Sequence, residues 1–210
     1  MGASSRCGRR TLHEVPGNAA ANQPTSHVGR VQRVSRINII PINTIDSTFL
    51  SRLALCLEER FLFQCVVEST VRIPPTTLNS ARKQLFLNTL LAKVGAATPH
   101  LEGFRLAVTD FDLYKTSHQF IFGDASEDGK TAALSLHRLR AEFYGEQADP
   151  NLLFQRALKE AVHDLGHVLG LKHCYNARCA MYSPGSIFDT DNKLSHFCDT
   201  CEKRVRKLLA

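Results

Sequence analysis

The sequence predicts one mixed α/β sheet domain, of the α+β kind, followed by a small, irregular, cysteine-rich C-terminal lobe. Three observations carry this reading. Strand-period and helix-period apolar patterns succeed one another in the order βαβαβββα. The length of 210 residues is one ordinary domain plus a remainder, against roughly 150 residues per domain. Beyond Gly170 the regular patterning stops and four of the seven cysteines follow.

Residues 1–34 are rich in Gly, Ala, Asn, Ser and Arg and have almost no aliphatic periodicity, so they read as a flexible basic tail that cannot offset its own ordering entropy. From Arg36 the texture changes. Ile37–Ile42 reads as a first strand. A helix opens at Asp46-Ser47, with Leu50, Leu53, Leu57 and Phe61 at helical spacing. Cys65–Ile73 is β-branched and alternating, a second strand closed by Pro74-Pro75. Leu78–Val94 reads as a helix ending at Gly95, and Phe104–Phe111 as a third strand. Gln119–Phe122 and Ala132–Leu136 read as a pair around the turn 124–130. A long helix then starts at Asp149-Pro150, a capping residue followed by proline at the first helical position. Its stripe of Phe154, Leu158, Ala161, Leu165 and Val168 runs to Gly170. A loop-rich piece and a short basic helix complete residues 35–210, divided into an upper part, 35–170, and a lower part, 171–210.

Composition excludes several classes. Hydrophobic residues are 43% and charged residues 22%, as in a chain that buries a core. No apolar run approaches the roughly 20 residues of a membrane span, so no membrane partner is expected. No basic segment leads into an apolar stretch near Met1, so a secretory signal is not expected and a cytoplasmic location is. The net charge of +6 is mostly the tail's: five arginines and one glutamate give it +4, leaving an ordinary +2 for the other 176 residues. The run Lys203-Arg204-Val205-Arg206-Lys207 lacks aromatic interleaving, so nucleic acid is not an expected partner.

The chemistry is concentrated after Glu160. His163 and His167 are four apart in a helix, so they project about 40° apart on one face, one turn from each other. Two imidazoles so placed can reach one ion at about 2.1 Å. Gly170 supplies a positive-φ residue at which the chain can turn, and His173 then approaches from outside the helix. Three neutral imidazoles on zinc leave a fourth position open, the arrangement of a catalytic site. The bland alternative, two solvated histidines, leaves the third His at this spacing unexplained.

Cys174, Cys179, Cys198 and Cys201, spaced x4, x18 and x2, read as a closed four-cysteine zinc site. The alternative of two disulfides needs an oxidising compartment. Two Zn2+ per chain are therefore expected, one catalytic and one structural. Cys56 and Cys65 fall in regular elements and read as small buried hydrophobes. His100, His118, His137 and His196 have no partner at ligand spacing and read as surface residues.

The pattern H-x3-H-x2-G-x2-H followed directly by Cys, then C-x4-C, a methionine two residues on, and C-x2-C, resembles the archaemetzincins, a branch of the metzincin zinc peptidases. The matching residues are His163, His167, Gly170, His173, Cys174, Cys179, Met181, Cys198 and Cys201. The resemblance implies a metzincin-like zincin fold: a twisted mixed sheet with backing helices, an active-site helix and a small lower lobe. It implies that Met181 forms an apolar floor beneath the three histidines and that the cysteine site braces the turn and His173. It also implies hydrolysis of peptide bonds, of small peptides in the manner of an aminopeptidase, with the peptide extended along an edge strand, for which Gln119–Phe122 is the candidate.

One position departs from the family pattern, which has Glu directly after the first His as general base. Here that residue is Asp164, one methylene shorter. A shortfall of about 1 Å is enough for on the order of a hundredfold in rate. Three readings stay open: Asp164 works through an extra water, Glu160 one turn earlier substitutes, or the chain is a catalytically weak zinc-binding module. For Glu160 itself, a supporting or solvated carboxylate near Lys159 is the plainer reading.

Overall fold

The computed structural model describes residues 36–126 and 128–209. The tail, with Cys7, lies outside the described residues. The chain order is β1 (Arg36–Pro41), α1 (Ser47–Phe61), β2 (Gln64–Val67), β3 (Leu85–Phe86), α2 (Leu87–Ala97), β4 (Phe104–Thr109), β5 (Leu113–Lys115), β6 (His118–Ile121), β7 (Gly123–Ala125), β8 (Thr131–Ser135), α3 (Pro150–Val168), α4 (Ile187–Asn192) and α5 (Asp199–Leu209).

The main sheet has the order β2-β1-β4-β8-β7. Its first four strands are parallel, and β7 runs antiparallel to β8. Side chains alternate across a strand, so the register sorts the sheet into two faces. Ile40, Ala107 and Ala133 share one face and form one apolar cluster with Leu87, Leu90 and Val94 of α2. Ile39, Leu106 and Ala132 are equally buried on the other. Gly123, paired with Leu134, also belongs to that second face, and a β-carbon there would strike Asp164 of α3. Helix α3 therefore packs on this face over β7 and β8, beside α1, which it meets through the edge-on rings of Phe49 and Phe154. A second sheet, β3-β5-β6, lies apart from the main one in pairing.

Both long helices begin as the sequence predicts. Asp46 caps α1 through Phe49 N, and Asp149 caps α3 through the amides of Asn151 and Leu152, with Pro150 in the first turn. Three predictions need correction. The segment 78–86 is not helical: Asn79 Oδ1 accepts from the amides of Ala81 and Arg82, a local alternative to the helix ladder, and Lys83 takes φ 58°. The helix begins at Leu87 and continues through Gly95 to Ala97. The regular second strand ends at Val67; beyond it Glu68 N donates to Ile39 O and Val71 makes an isolated parallel bridge to Ile42. The antiparallel partner of β8 is Gly123–Ala125; of the segment Gln119–Phe122 only Phe122 joins β8, its carbonyl accepting from Ser135 N, while β6 pairs with β5 as the outer strand of the second sheet. The main sheet is thus bounded by β2 on one side and β7 on the other.

Candidate active site

His163 and His167 lie in the last two turns of α3. The helix stops in a hydrogen-bonded turn in which Gly170 N donates to His167 O at 2.8 Å and Leu171 N donates to Gly166 O at 2.9 Å, with Gly170 at φ 88°. That turn orients a ligand as well as ending the helix, because the Leu171 carbonyl accepts from His167 Nδ1 at 2.9 Å. The Ala180 carbonyl accepts from His163 Nδ1, also at 2.9 Å. A carbonyl can only accept, so both Nδ1 atoms carry hydrogen and each Nε2 presents a lone pair.

Those two Nε2 atoms stand 3.1 Å apart. Burial holds His163 well below the ordinary histidine range, with the Lys193 charge and then His167 acting in the same direction. Burial also lowers His167. With Nδ1 carrying the hydrogen in each neutral ring, the two Nε2 lone pairs face each other and call for a cation. Tetrahedral zinc with Zn–N near 2.0–2.1 Å sets its nitrogens roughly 3.4 Å apart. His173 completes the group: its ring centroid lies 5.3 Å from that of His163 and 4.8 Å from that of His167, and one nitrogen of each of the three rings falls within 4.8 Å of the others. His163 is buried and His173 exposed, so the cluster opens to solvent on the His173 side.

Met181 is fully buried against the active-site segment of α3. It packs so closely on Gly166 that a β-carbon there would overlap its Sδ and come within 3.3 Å of the Phe197 ring. The four cysteines meet as the spacing predicts. Their sulfurs lie within 4.8 Å of one another, and Cys174 and Cys198 are 3.8 Å apart. Zn–S bonds near 2.3 Å in a tetrahedron give about 3.8 Å, whereas a disulfide needs about 2.0 Å. Both donor sets fit zinc.

The carboxylates are placed less simply. Asp164 is 1% exposed and wedged against Gly123, and its Oδ2 has no hydrogen-bond partner among the described residues. Burial raises it well above the ordinary carboxylate range, and the charges of Glu160 and Asp124 push the same way. Glu160 is not the solvated partner of Lys159. Its Oε1 accepts from the Thr190 hydroxyl at 2.6 Å and its Oε2 from Lys193 Nζ at 3.0 Å, and all three residues are buried. Lys159 instead donates to the carbonyls of Thr190 and Asp191. Glu160, His163, His173, Phe120, Phe122 and Pro184 help to line a cleft of about 390 Å3. Asp164 is not among its lining residues; it sits behind Gly123, which is.

Several contributors escaped sequence reasoning. His118, read as a surface residue, is exposed but lines the cleft, as does Lys115, whose Nζ lies 2.5 Å from Asp124 on β7. Lys193 carries no motif. Gly166 did leave a signal, a glycine inside a helix between two candidate ligands.

Among known proteins, the model of Peptidase family M54 matches residues 64–207. The archaemetzincin of Methanocaldococcus jannaschii is 40% identical over 173 residues, 82% of this chain and 94% of that one. That of Pyrococcus furiosus is 37% identical over 181 residues, covering 82% and 93%. Among solved structures, the archaemetzincin from Methanopyrus kandleri superposes with a TM-score of 0.72 at 26% identity, covering 87% of this chain and 98% of that one. A zinc-dependent peptidase from Methanocorpusculum labreanum gives 0.71 at 27%, covering 80% and 99%.

Proposed function

The chain belongs to peptidase family M54 and is a zinc metallopeptidase, and from that premise we propose that it cleaves small peptides as an aminopeptidase. In this reading His163, His167 and His173 hold a catalytic zinc, and Cys174, Cys179, Cys198 and Cys201 a structural one. The observation that carries it is the pair of Nε2 lone pairs facing each other at 3.1 Å with His173 beside them. The cleft of about 390 Å3 sits near the small end of ligand pockets, roughly 300–1,000 Å3, which suits a short peptide. Preference for a free amino terminus rests on the archaemetzincin likeness. A reducing, cytoplasmic setting belongs to the same reading, because four metal-binding thiols must stay reduced.

Bound zinc supplies Lewis acidity, polarising a peptide carbonyl and acidifying water. The rest of the work falls to the chain. The carbonyls of Ala180 and Leu171 hold two imidazoles in the one tautomer that offers Nε2. The outer edge of β6, where Gln119–Phe122 lines the cleft, offers backbone groups to an extended peptide. Asp164 Oδ2 takes a proton from the attacking water as its oxygen bonds to the carbonyl carbon. It returns that proton to the amine nitrogen as the C–N bond breaks, with one further water bridging the missing methylene.

The burial of Asp164 and the absence of a partner for its Oδ2 among the described residues favour one second reading, a zinc-binding module with little turnover. Hydrolysis of short peptides with free and acetylated amino termini separates the two. The peptidase reading expects cleavage of the free peptides and a loss of about a hundredfold or more in Asp164→Ala. An inert native chain that gains activity in Asp164→Glu establishes the module instead. Equal cleavage of acetylated peptides overturns the aminopeptidase assignment.

A further inference from the structure

The two metal clusters are built on one short piece of chain. His173 belongs to the imidazole cluster and the next residue, Cys174, to the thiolate cluster. Cys174 N donates to Met181 O at 2.9 Å, closing the segment 174–181 into a loop, and Cys179 N donates to Asn176 O within it. Cys179 is a thiolate-cluster residue. The next residue, Ala180, gives its carbonyl to His163 Nδ1, and Met181 after it packs on Gly166 between the two helical histidines. From the far side, Cys198 N donates to Cys179 Sγ at 3.3 Å and Ala180 N donates to His196 O at 2.9 Å. Twice, then, adjacent residues serve different clusters, with no intervening residue to absorb a displacement.

We propose that Cys174 and Cys179 are positioning residues for the catalytic metal: filling the thiolate cluster sets the zinc affinity of the imidazole cluster, and the converse. This rests on the two-zinc reading above. When four sulfurs close on one ion, Cys174 and Cys179 are fixed to within the tolerance of tetrahedral coordination. His173 and the Ala180 carbonyl are then placed for the imidazole site before its metal arrives. With the thiolate cluster empty, the loop 174–181 keeps its backbone hydrogen bonds, the bonds of Arg178 to Asn192 and the packing of Met181, but Cys174 and Cys179 lose their tetrahedral constraint, and binding at the imidazoles must also fix His173 and the acceptor of His163. A ligand that finds its site already ordered binds more tightly, and linkage makes the effect equal in both directions.

The test uses zinc alone, titrated into the full-length protein against a chromophoric chelator. Cys198→Ser/Cys201→Ser removes two thiolates that lie outside the shared loop, so an effect at the imidazoles travels through the loop or through the adjoining His196–Phe197 contacts with Ala180 and Gly166. The expected result is a zinc affinity at the imidazole cluster lower than native by about tenfold or more. Cys201→His, which keeps four ligands, restores it. The reciprocal arm is His163→Ala, which lowers zinc affinity at the thiolates by a similar factor. That arm alone decides the matter if the serine variant fails to fold by circular dichroism. Affinities unchanged within about twofold in the arm that folds overturn the coupling. A native chain that takes up fewer than two zinc ions overturns the two-zinc reading, and this proposal with it.

Discussion

At Gly166 the active-site helix brings no side chain to its contact with Met181, and two opposing effects can be weighed there. Alanine is the better helix former by about 1 kcal/mol. Its β-carbon, however, would overlap Met181 Sδ and crowd the Phe197 ring, both of them buried. Overpacking of this kind costs about 1–3 kcal/mol, so Gly166→Ala is expected to be net destabilising in urea unfolding with zinc in excess. A gain in stability would show that Met181 does not lie so close to Gly166. The histidine and cysteine positions were legible from spacing alone, because four residues make a helical turn and a glycine can end it. The roles of Gly166 and Gly123 were not, because each is defined by a partner remote in sequence, Met181 in one case and Ala133 with Asp164 in the other.

Between elements, the buried ion pair of Glu160 and Lys193 ties α3 to the segment that follows α4. Lys193 Nζ donates to Glu160 at 3.0 Å and to the Tyr182 carbonyl at 3.5 Å, and the lysine is fully buried. Removing one partner of such a pair leaves an uncompensated charge, so Lys193→Met is expected to lose about 3–5 kcal/mol in denaturant unfolding. The double variant Lys193→Met/Glu160→Leu should recover more than half of that. No recovery would mean that the lysine acts by packing and not by charge. At this scale the long helices α1 and α3 were readable, since cap and stripe agree over 15 and 19 residues. The stretch 78–97 was not, because Asn79 competes for the backbone amides and Gln84 is fixed by a buried bond to Asp112 of another strand connection. The exchange of Gln119–Phe122 for Gly123–Ala125 as partner of β8 has a similar origin. Both segments suit an edge, and only the close approach of Gly123 to α3 and Ala133 decides between them.

For the whole molecule, a mixed sheet holds one long helix against β7 and β8, and the lobe after Gly170 folds back to supply the third histidine, the carbonyl that orients the first, and the methionine that packs on Gly166 between the first two. None of these parts makes the site alone. The central claim is that three imidazoles converge on one cation while four thiolates hold another. It is tested most directly by an anomalous difference map recorded at the zinc absorption edge from crystals of the full-length protein. Two peaks are expected, one about 2.1 Å from a nitrogen of each of His163, His167 and His173 and one about 2.3 Å from the four cysteine sulfurs. A map with no peak shared by the three rings, whatever density lies at the thiolates, would contradict the account.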